Sequence, residues 1–245
     1  MNFAGKVALV TGGSQGIGRA YTEALLNIGM KVCICDIKEE AALELMQNLP
    51  ADLKTNIVFQ KCDVSSSTDL KNAFDYVIST FGRLDMLINN AGIYSEQNYQ
   101  KMIEINFIAV VNATKIAFEL MNINNGGRGG HIINTASEAG LLPLILGPVY
   151  TGTKHAIVGF TKSLGTDYHF KKTGITVNAV CPGPVDTYLF QTFAVKSPDQ
   201  IEAEKLISSV TPVKPEEVGK ALLKLLEDNK NGALLRVDAE GLRYA

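Results

Sequence analysis

The sequence predicts a single doubly wound α/β domain, a seven-stranded parallel sheet with helices on both faces. Three features of the 245 residues carry that prediction. Short apolar runs alternate with longer segments of helical period from end to end, and each parallel return of a strand needs such a crossover. Most of the runs are apolar on successive residues, as strands covered on both faces are. No linker or repeat interrupts the alternation, so residues 1–245 read as one domain.

VALVT (7–11) opens the sheet and leads through TGGSQGIG into a helix expected over 17–28. KVCICD (31–36) is followed by a helix at 38–48, and NIVFQKCD (56–63) by one at 66–81. MLIN (86–89) precedes the longest helical stretch, 99–121, and GGRGG (126–130) reads as a flexible connection into HIINTA (131–136). A helix at 150–169 separates that strand from TVNAVC (176–181). The stretch 183–214 lacks clean periodicity, and a loop of that length inside a compact domain is usually a lid or binding segment. Residues 186–212 are therefore expected to cover a substrate. Pro215, Glu216 and Glu217 start a helix over 216–228, with proline at the first helical position and carboxylates in the first turn. ALLRV (233–237) closes the sheet.

Composition removes several classes of function. Lys and Arg number 23, Asp and Glu 25, a net charge of −2. That balance supplies neither the basic stripe of a nucleic-acid protein nor a polybasic membrane signal. No apolar stretch approaches the ~18 residues of a membrane span. The opening apolar run before Thr11 is too short for a signal peptide, and GLRYA at the end matches no common address. Cys33, Cys35, Cys62 and Cys181 lack zinc spacing and read as buried thiols of a reducing compartment. His131, His155 and His169 are too scattered to suggest a metal site. The expectation is a cytoplasmic protein with no metal and no nucleic-acid or membrane partner.

The glycines of TGGSQGIG carry more specific chemistry. Gly12, Gly16 and Gly18 lie between a strand and a helix, where glycine permits a sharp turn, close approach to a pyrophosphate and tight helix–sheet packing. The helix N-terminus then offers unpaired N–H groups to the phosphates. Asp36 ends the second strand, 18 residues after Gly18, where a carboxylate can accept ribose hydroxyls. A 2′-phosphate would face that carboxylate, so Asp36 favours NAD over NADP. Its alternative role is an ordinary cap for the helix beginning at Lys38.

Further motifs fall in order behind this loop. NNAG spans Asn89 to Gly92, Asn106 lies in MIEINF, and Ser137, Tyr150 and Lys154 are spaced by 13 and 4 residues. Jointly these segments resemble the short-chain dehydrogenase/reductase family over nearly the whole chain. The resemblance implies a Rossmann-type domain, NAD as cofactor, a cofactor half at about 1–130 and a catalytic and substrate half at about 131–245. It implies Asn106, Ser137, Tyr150 and Lys154 as catalytic residues, with Lys154 also on the nicotinamide ribose and Asn106 holding a water of the proton relay. Gly12, Ser14, Gln15, Gly16, Ile17 and Gly18 would form the phosphate loop, with Asp36 and Ile37 beside it. Asp63 and Val64 would flank the adenine, Asn90 would approach the adenosine ribose, Ala91 and Gly92 would join the cofactor contacts, and Pro182, Gly183, Val185 and Thr187 would sit against the nicotinamide. A homodimer or homotetramer through the helices at 99–121 and 150–169 is also implied.

The chemistry can be argued from the residues themselves. Positions four apart share a helix face, so Lys154 stands beside Tyr150. A tyrosine of pKa ~10 is a poor base at neutral pH, and lowering it by ~3 units takes ~4 kcal/mol of differential interaction. The expectation is that the Lys154 ammonium, with the charge of NAD⁺, favours the phenolate. Tyr150 would then exchange the hydroxyl proton while Ser137 holds the same oxygen. Glu138 either points away from this group or touches a polar substrate.

Substrate contacts are expected from Ser137, Gly147, Tyr150 and Tyr188. Gly147 stands where the prostaglandin-oxidising branch of the family carries a substrate-binding glutamine, so that specificity is not implied. LLPLILGPV and YLFQTF are apolar and free of Lys and Arg, which suits a lipophilic secondary alcohol or ketone better than a phosphate or coenzyme A ester. Two other readings are an NADP(H)-preferring carbonyl reductase and a non-catalytic nucleotide-binding regulator.

Overall fold

The structure is a computed structural model and describes residues 2–245. Strands β1 (Val7–Thr11), β2 (Lys31–Asp36), β3 (Ile57–Lys61), β4 (Met86–Asn89), β5 (Gly130–Thr135), β6 (Ile175–Pro182), β7 (Leu234–Asp238) and β8 (Gly241–Tyr244) form one sheet. Their order is β3-β2-β1-β4-β5-β6-β7-β8. The first seven strands pair in parallel, as the crossovers require. The seven-stranded expectation is corrected to eight: β8 returns antiparallel beside β7, with Asp238 opposite Gly241 across a tight turn. Only four residues long and at the sheet edge, it has no apolar run to betray it.

The continuous apolar strands follow from burial on both sides. Along β1, Ala8 and Val10 point to one core with Tyr21, Leu25, Leu222 and Leu225, while Val7 and Leu9 point to the other with Leu70, Phe74, Ala113 and Ala117. The helices are α1 (Gly16–Asn27), α2 (Glu39–Asn48), α3 (Ser67–Phe81), α4 (Tyr99–Ile103), α5 (Ala109–Met121), α6 (Pro148–Leu164), α7 (Asp167–Thr173), α8 (Tyr188–Gln191), α9 (Phe193–Lys196), α10 (Gln200–Ser208) and α11 (Pro215–Asp228). Helices α1, α2 and α11 cover one face of the sheet; α3 and α5 cover the other.

Two helices predicted as continuous are broken. The stretch 99–121 contains a π turn at Glu104–Ile108 between α4 and α5. The stretch 150–169 ends at Leu164 and resumes as α7. A Cβ at Gly165 would stand 2.3 Å from the Gly232 Cα, so two backbones cross there and the helix has no room to go on. Residues 186–212 leave and rejoin the fold at one point. Val185 and Val213 pair as an isolated parallel bridge, with Asp186 N–H donating to Val213 O at 2.9 Å and Val213 N–H to Pro184 O at 2.9 Å. Between them lie α8, α9 and α10 rather than an irregular loop.

Candidate active site

The strand order reverses between β1 and β4, and in open α/β sheets the crevice beyond the strand ends at such a point is where ligands bind. A cleft of about 650 Å³ runs along these ends, from the glycine loop to α10. Its floor at the glycine loop is backbone. Gly12 and Gly16 have φ of +62° and +52°, and a Cβ at Gly18 would stand 1.9 Å from the Gly12 carbonyl oxygen. No residue with a side chain fits that turn. Asn90 fixes the loop from the neighbouring strand, its Nδ2 donating to Thr11 O and Gly12 O at 3.0 Å each.

Asp36 ends β2 at the same rim and is buried. Its Oδ2 accepts from the Ser14 amide at 3.1 Å and from the Ser14 hydroxyl; its Oδ1 accepts from the Lys38 amide at 3.0 Å. The carboxylate therefore both ties the glycine loop to β2 and caps the turn into α2. Ser14 is buried and supports Asp36 through these two bonds. The Lys38 ammonium donates to Gln15 Oε1 at 2.8 Å and lies 4.9 Å from the Tyr188 ring.

Gln15, Ile17, Ile37, Asp63, Val64, Ala91, Gly92, Pro182, Gly183, Val185 and Thr187 all line the cleft, as do Gly12, Gly16, Gly18, Asp36 and Asn90. Asp63 doubles as a turn cap, accepting from the Ser65 amide at 2.9 Å and hydroxyl at 2.6 Å, and these bonds hold its carboxyl below the usual range. At the far end Thr187 packs on the glycine loop, its Cγ2 being 3.1 Å from where a Gly16 Cβ would be.

Tyr150 and Lys154 lie one turn apart on α6, and Ser137 follows the end of β5, all on the same wall. The Lys154 Nζ donates to Thr135 O at 2.8 Å and lies 5.7 Å from the Tyr150 ring centre. Ser137 Oγ accepts from the Ala139 amide at 3.1 Å and donates to Pro182 O at 3.3 Å. Burial pushes the Tyr150 phenol up to about 12, opposed by the Ser137 hydroxyl. Burial pushes Lys154 down to about 8. In the protein alone, desolvation thus disfavours the charged form of both groups.

Asn106 sits within the π turn, 1% exposed and off the cleft wall. Its Oδ1 accepts from the Ile93 amide and its Nδ2 donates to Ile93 O, both at 2.9 Å, so it clamps the loop after β4. Gly147 packs behind the wall: a Cβ there would stand 3.0 Å from Tyr94 Cε2. Tyr94 meets Tyr150 edge-on at 5.5 Å and Phe193 of α9 at 4.7 Å, while its hydroxyl donates to Leu146 O at 2.7 Å. The remaining wall is mostly apolar, with Leu142, Pro143, Leu144, Leu189, Phe190, Phe193, Ile207 and Val210, and carries Glu138 and Lys196 as its charged groups.

Sequence reasoning missed two supports. Glu138 pairs with Arg236 at 2.5 Å, and Arg236 with Asp238 at 3.4 Å, which makes Glu138 part of an ion cluster across β7. Glu96, in the loop after β4, accepts from the Tyr150 amide at 2.9 Å. Neither partner lies within sequence reach of the other, so no local pattern announces the contact.

Residues 6–197 match the family model of the short chain dehydrogenases. The chain belongs to the short-chain dehydrogenase family. Across its full length this short-chain dehydrogenase is 38% identical to the NAD(+) 15-hydroxyprostaglandin dehydrogenase of Mus musculus, covering 94% of that protein. Over 96% of its length it is 35% identical to alcohol dehydrogenase 1 of Ceratitis capitata, covering 92% of it. The fold is similar to a Burkholderia phymatum short-chain dehydrogenase/reductase solved in complex with NAD, with a TM-score of 0.84 at 23% identity over 96% of this chain and 90% of that one. Levodione reductase aligns with a TM-score of 0.81 at 26% identity, over 96% and 97% of the two chains.

Proposed function

We propose that this protein is an NAD(H)-dependent oxidoreductase that interconverts a lipophilic secondary alcohol and its ketone, with Tyr150 as general acid and base. The observation that carries this reading is a single cleft holding the glycine cradle and Asp36 at one end, and Ser137, Tyr150 and Lys154 beside an apolar wall at the other. The tight backbone turn through Gly12, Gly16 and Gly18 leaves the start of α1 bare on the cleft for a pyrophosphate, and the Asp36 carboxylate fits a ribose diol while repelling a 2′-phosphate. Lys38, which could offset that repulsion, is bonded to Gln15.

When bound, NAD⁺ supplies the hydride acceptor and a positive ring charge. Tyr150 takes the alcohol proton at its phenol oxygen during oxidation and returns it during reduction. Ser137 holds the reacting oxygen, and Lys154, anchored on Thr135 O, keeps a cation beneath the Tyr150 ring. Asn106 acts at one remove by clamping Ile93, and Tyr94, itself packed on Phe193, backs the Tyr150 ring edge-on.

The segment 186–212 closes over the substrate from its hinge at Val185 and Val213, bringing Tyr188 and Phe190 to the mouth. Among the described residues no helix is long and apolar enough to cross a membrane. Four free thiols support a cytoplasmic setting. Exposed Ile108 and Leu120, flanking and within α5, support a homodimer or homotetramer through α5 and α6. A panel of steroid, terpenoid and fatty secondary alcohols and ketones assayed for NADH tests the substrate class. Turnover of one or more of them is expected; turnover of a phosphorylated sugar with none of these would reject it.

A further inference from the structure

Helix α6 carries both Tyr150 and Lys154, yet its start has no cap of its own. The residue before it is Gly147, the first helical residue is Pro148, and no acidic side chain stands in the first turn. The amides of Val149 and Tyr150 are among the groups that a helix leaves without an internal partner. Glu96 takes both: Oε2 accepts from the Val149 amide at 3.2 Å and Oε1 from the Tyr150 amide at 2.9 Å. One carboxylate oxygen per amide, at the positive end of a 17-residue helix, is a charge-assisted remote cap.

The loop that supplies this carboxylate begins in the cleft and is pinned along its course. Asn90 to Gly92 line the cleft, Ile93 is clamped by Asn106, and Tyr94 lies edge-on against the Tyr150 ring. Glu96 is the last of these ties and the only one to the Tyr150 backbone. A bond to the amide of the residue whose phenol does the chemistry fixes the height and rotation of that side chain over the cleft. Misplacement of a reacting group by about 1 Å can cost on the order of a hundredfold in rate.

We infer that Glu96 is a positioning residue for Tyr150, its carboxylate seating the first turn of α6 so that the phenol meets the reacting oxygen. This rests on the reading of Tyr150 as the acid and base, and the experiment separates the two. Glu96→Gln keeps the length and one acceptor oxygen; Glu96→Ala keeps neither. Single-turnover NADH formation is measured with saturating NAD⁺ and the lipophilic secondary alcohol oxidised fastest in the panel above, beside NADH affinity by fluorescence and the thermal midpoint. The rate constant is expected to fall roughly a hundredfold in Glu96→Ala and about tenfold in Glu96→Gln, with NADH affinity within about twofold of the parent. A rate like the parent's in Glu96→Gln, and in Glu96→Ala if it folds, would overturn the inference even if the thermal midpoint drops, because a cap that served stability alone would lower only the midpoint. Should Glu96→Ala not fold, Glu96→Gln decides alone. Tyr150→Phe is the control: if it turns over normally, the reading of Tyr150 fails; if it is inactive while the Glu96 variants keep their rate, only the role of Glu96 fails.

Discussion

Lys154 sets its ammonium under the face of the Tyr150 ring, 5.7 Å from its centre, and gives a hydrogen to Thr135 O rather than to the phenol. The cation is held by the sheet and not by its helix neighbour. It can stabilise a charge that develops on the ring, but in the protein alone it does not produce one. The phenol stays near 12 because burial outweighs what Ser137 supplies. A neutral phenol beside this cation keeps the site a proton donor until a further positive charge enters the cleft.

Ultraviolet titration of the phenolate band should therefore find Tyr150 protonated in the free protein up to about pH 11. The difference between parent and Tyr150→Phe isolates this one group. Oxidised NAD adds a positive ring charge, and its presence is expected to move the step downward, by about 1.4 kcal/mol for every unit of the move. Oxidation of alcohol then gains with rising pH and ketone reduction loses over the same range. A Tyr150 step below pH 9 without NAD would sink this account.

Lys154 is a stability cost held for function. Burial lowers it from 10.5 to about 8, so between those values the unfolded chain binds more protons than the folded one, and stability rises with pH across that window. Below pH 8 the whole penalty, about 3 kcal/mol, is present. Lys154→Met should consequently be more stable than the parent at pH 7, by about 2 kcal/mol once the lost bond to Thr135 O is set against it. The advantage should shrink as the pH climbs past 8, while turnover is lost. Denaturant midpoints at pH 7 and pH 9.5 measure it; equal differences at both would reject the assignment.

The parts of this site that were legible in the sequence are those carried by local pattern. β1 and β2 show as apolar runs because both faces are buried, the glycine turn shows because Gly18 has no room for a side chain, and Tyr150 with Lys154 shows because four residues make one helical turn. What stayed hidden depends on distant chain. The π turn that aims Asn106 at Ile93, the Gly165–Gly232 crossing that ends α6, and the edge strand β8 have no signature within their own segments. The bond of the Ser14 hydroxyl to Asp36 is likewise decided by β2, outside the glycine loop's own segment.

Asp36 carries two tasks that one substitution separates. As the acceptor for Ser14 and the Lys38 amide it holds the loop, and as a carboxylate at the rim it would repel a 2′-phosphate. Asp36→Ala is expected to raise the KM for NAD about 10- to 100-fold, the cost of charged hydrogen bonds of about 1.5–3 kcal/mol. NADP should become usable because the repulsion is gone. Asp36→Asn keeps an acceptor for the loop, so it should lose less NAD affinity yet gain NADP to a similar degree. Unchanged discrimination in both variants would remove Asp36 from cofactor choice.

His131 links the stability of the fold to acid pH. Its ring is buried at the start of β5, with Nδ1 2.8 Å from Thr176 Oγ1 and Phe3 packed at 5.9 Å. Burial lowers it to about 4, with the Lys6 charge acting the same way and Asp85 acting against it. Between pH 6.5 and 4 the unfolded chain binds the extra proton, so stability falls as the pH drops through that window, by about 3 kcal/mol in total. Below pH 4 this histidine contributes no further slope, and any remaining loss belongs to carboxylates such as Asp63, held low by Ser65 and Lys101. His131→Gln retains a polar partner for Thr176 without the titration, and should show a flatter stability profile from pH 6.5 to 4 than the parent. Chemical denaturation across that range reads the slope directly, and parallel profiles for the two proteins would assign the acid loss elsewhere.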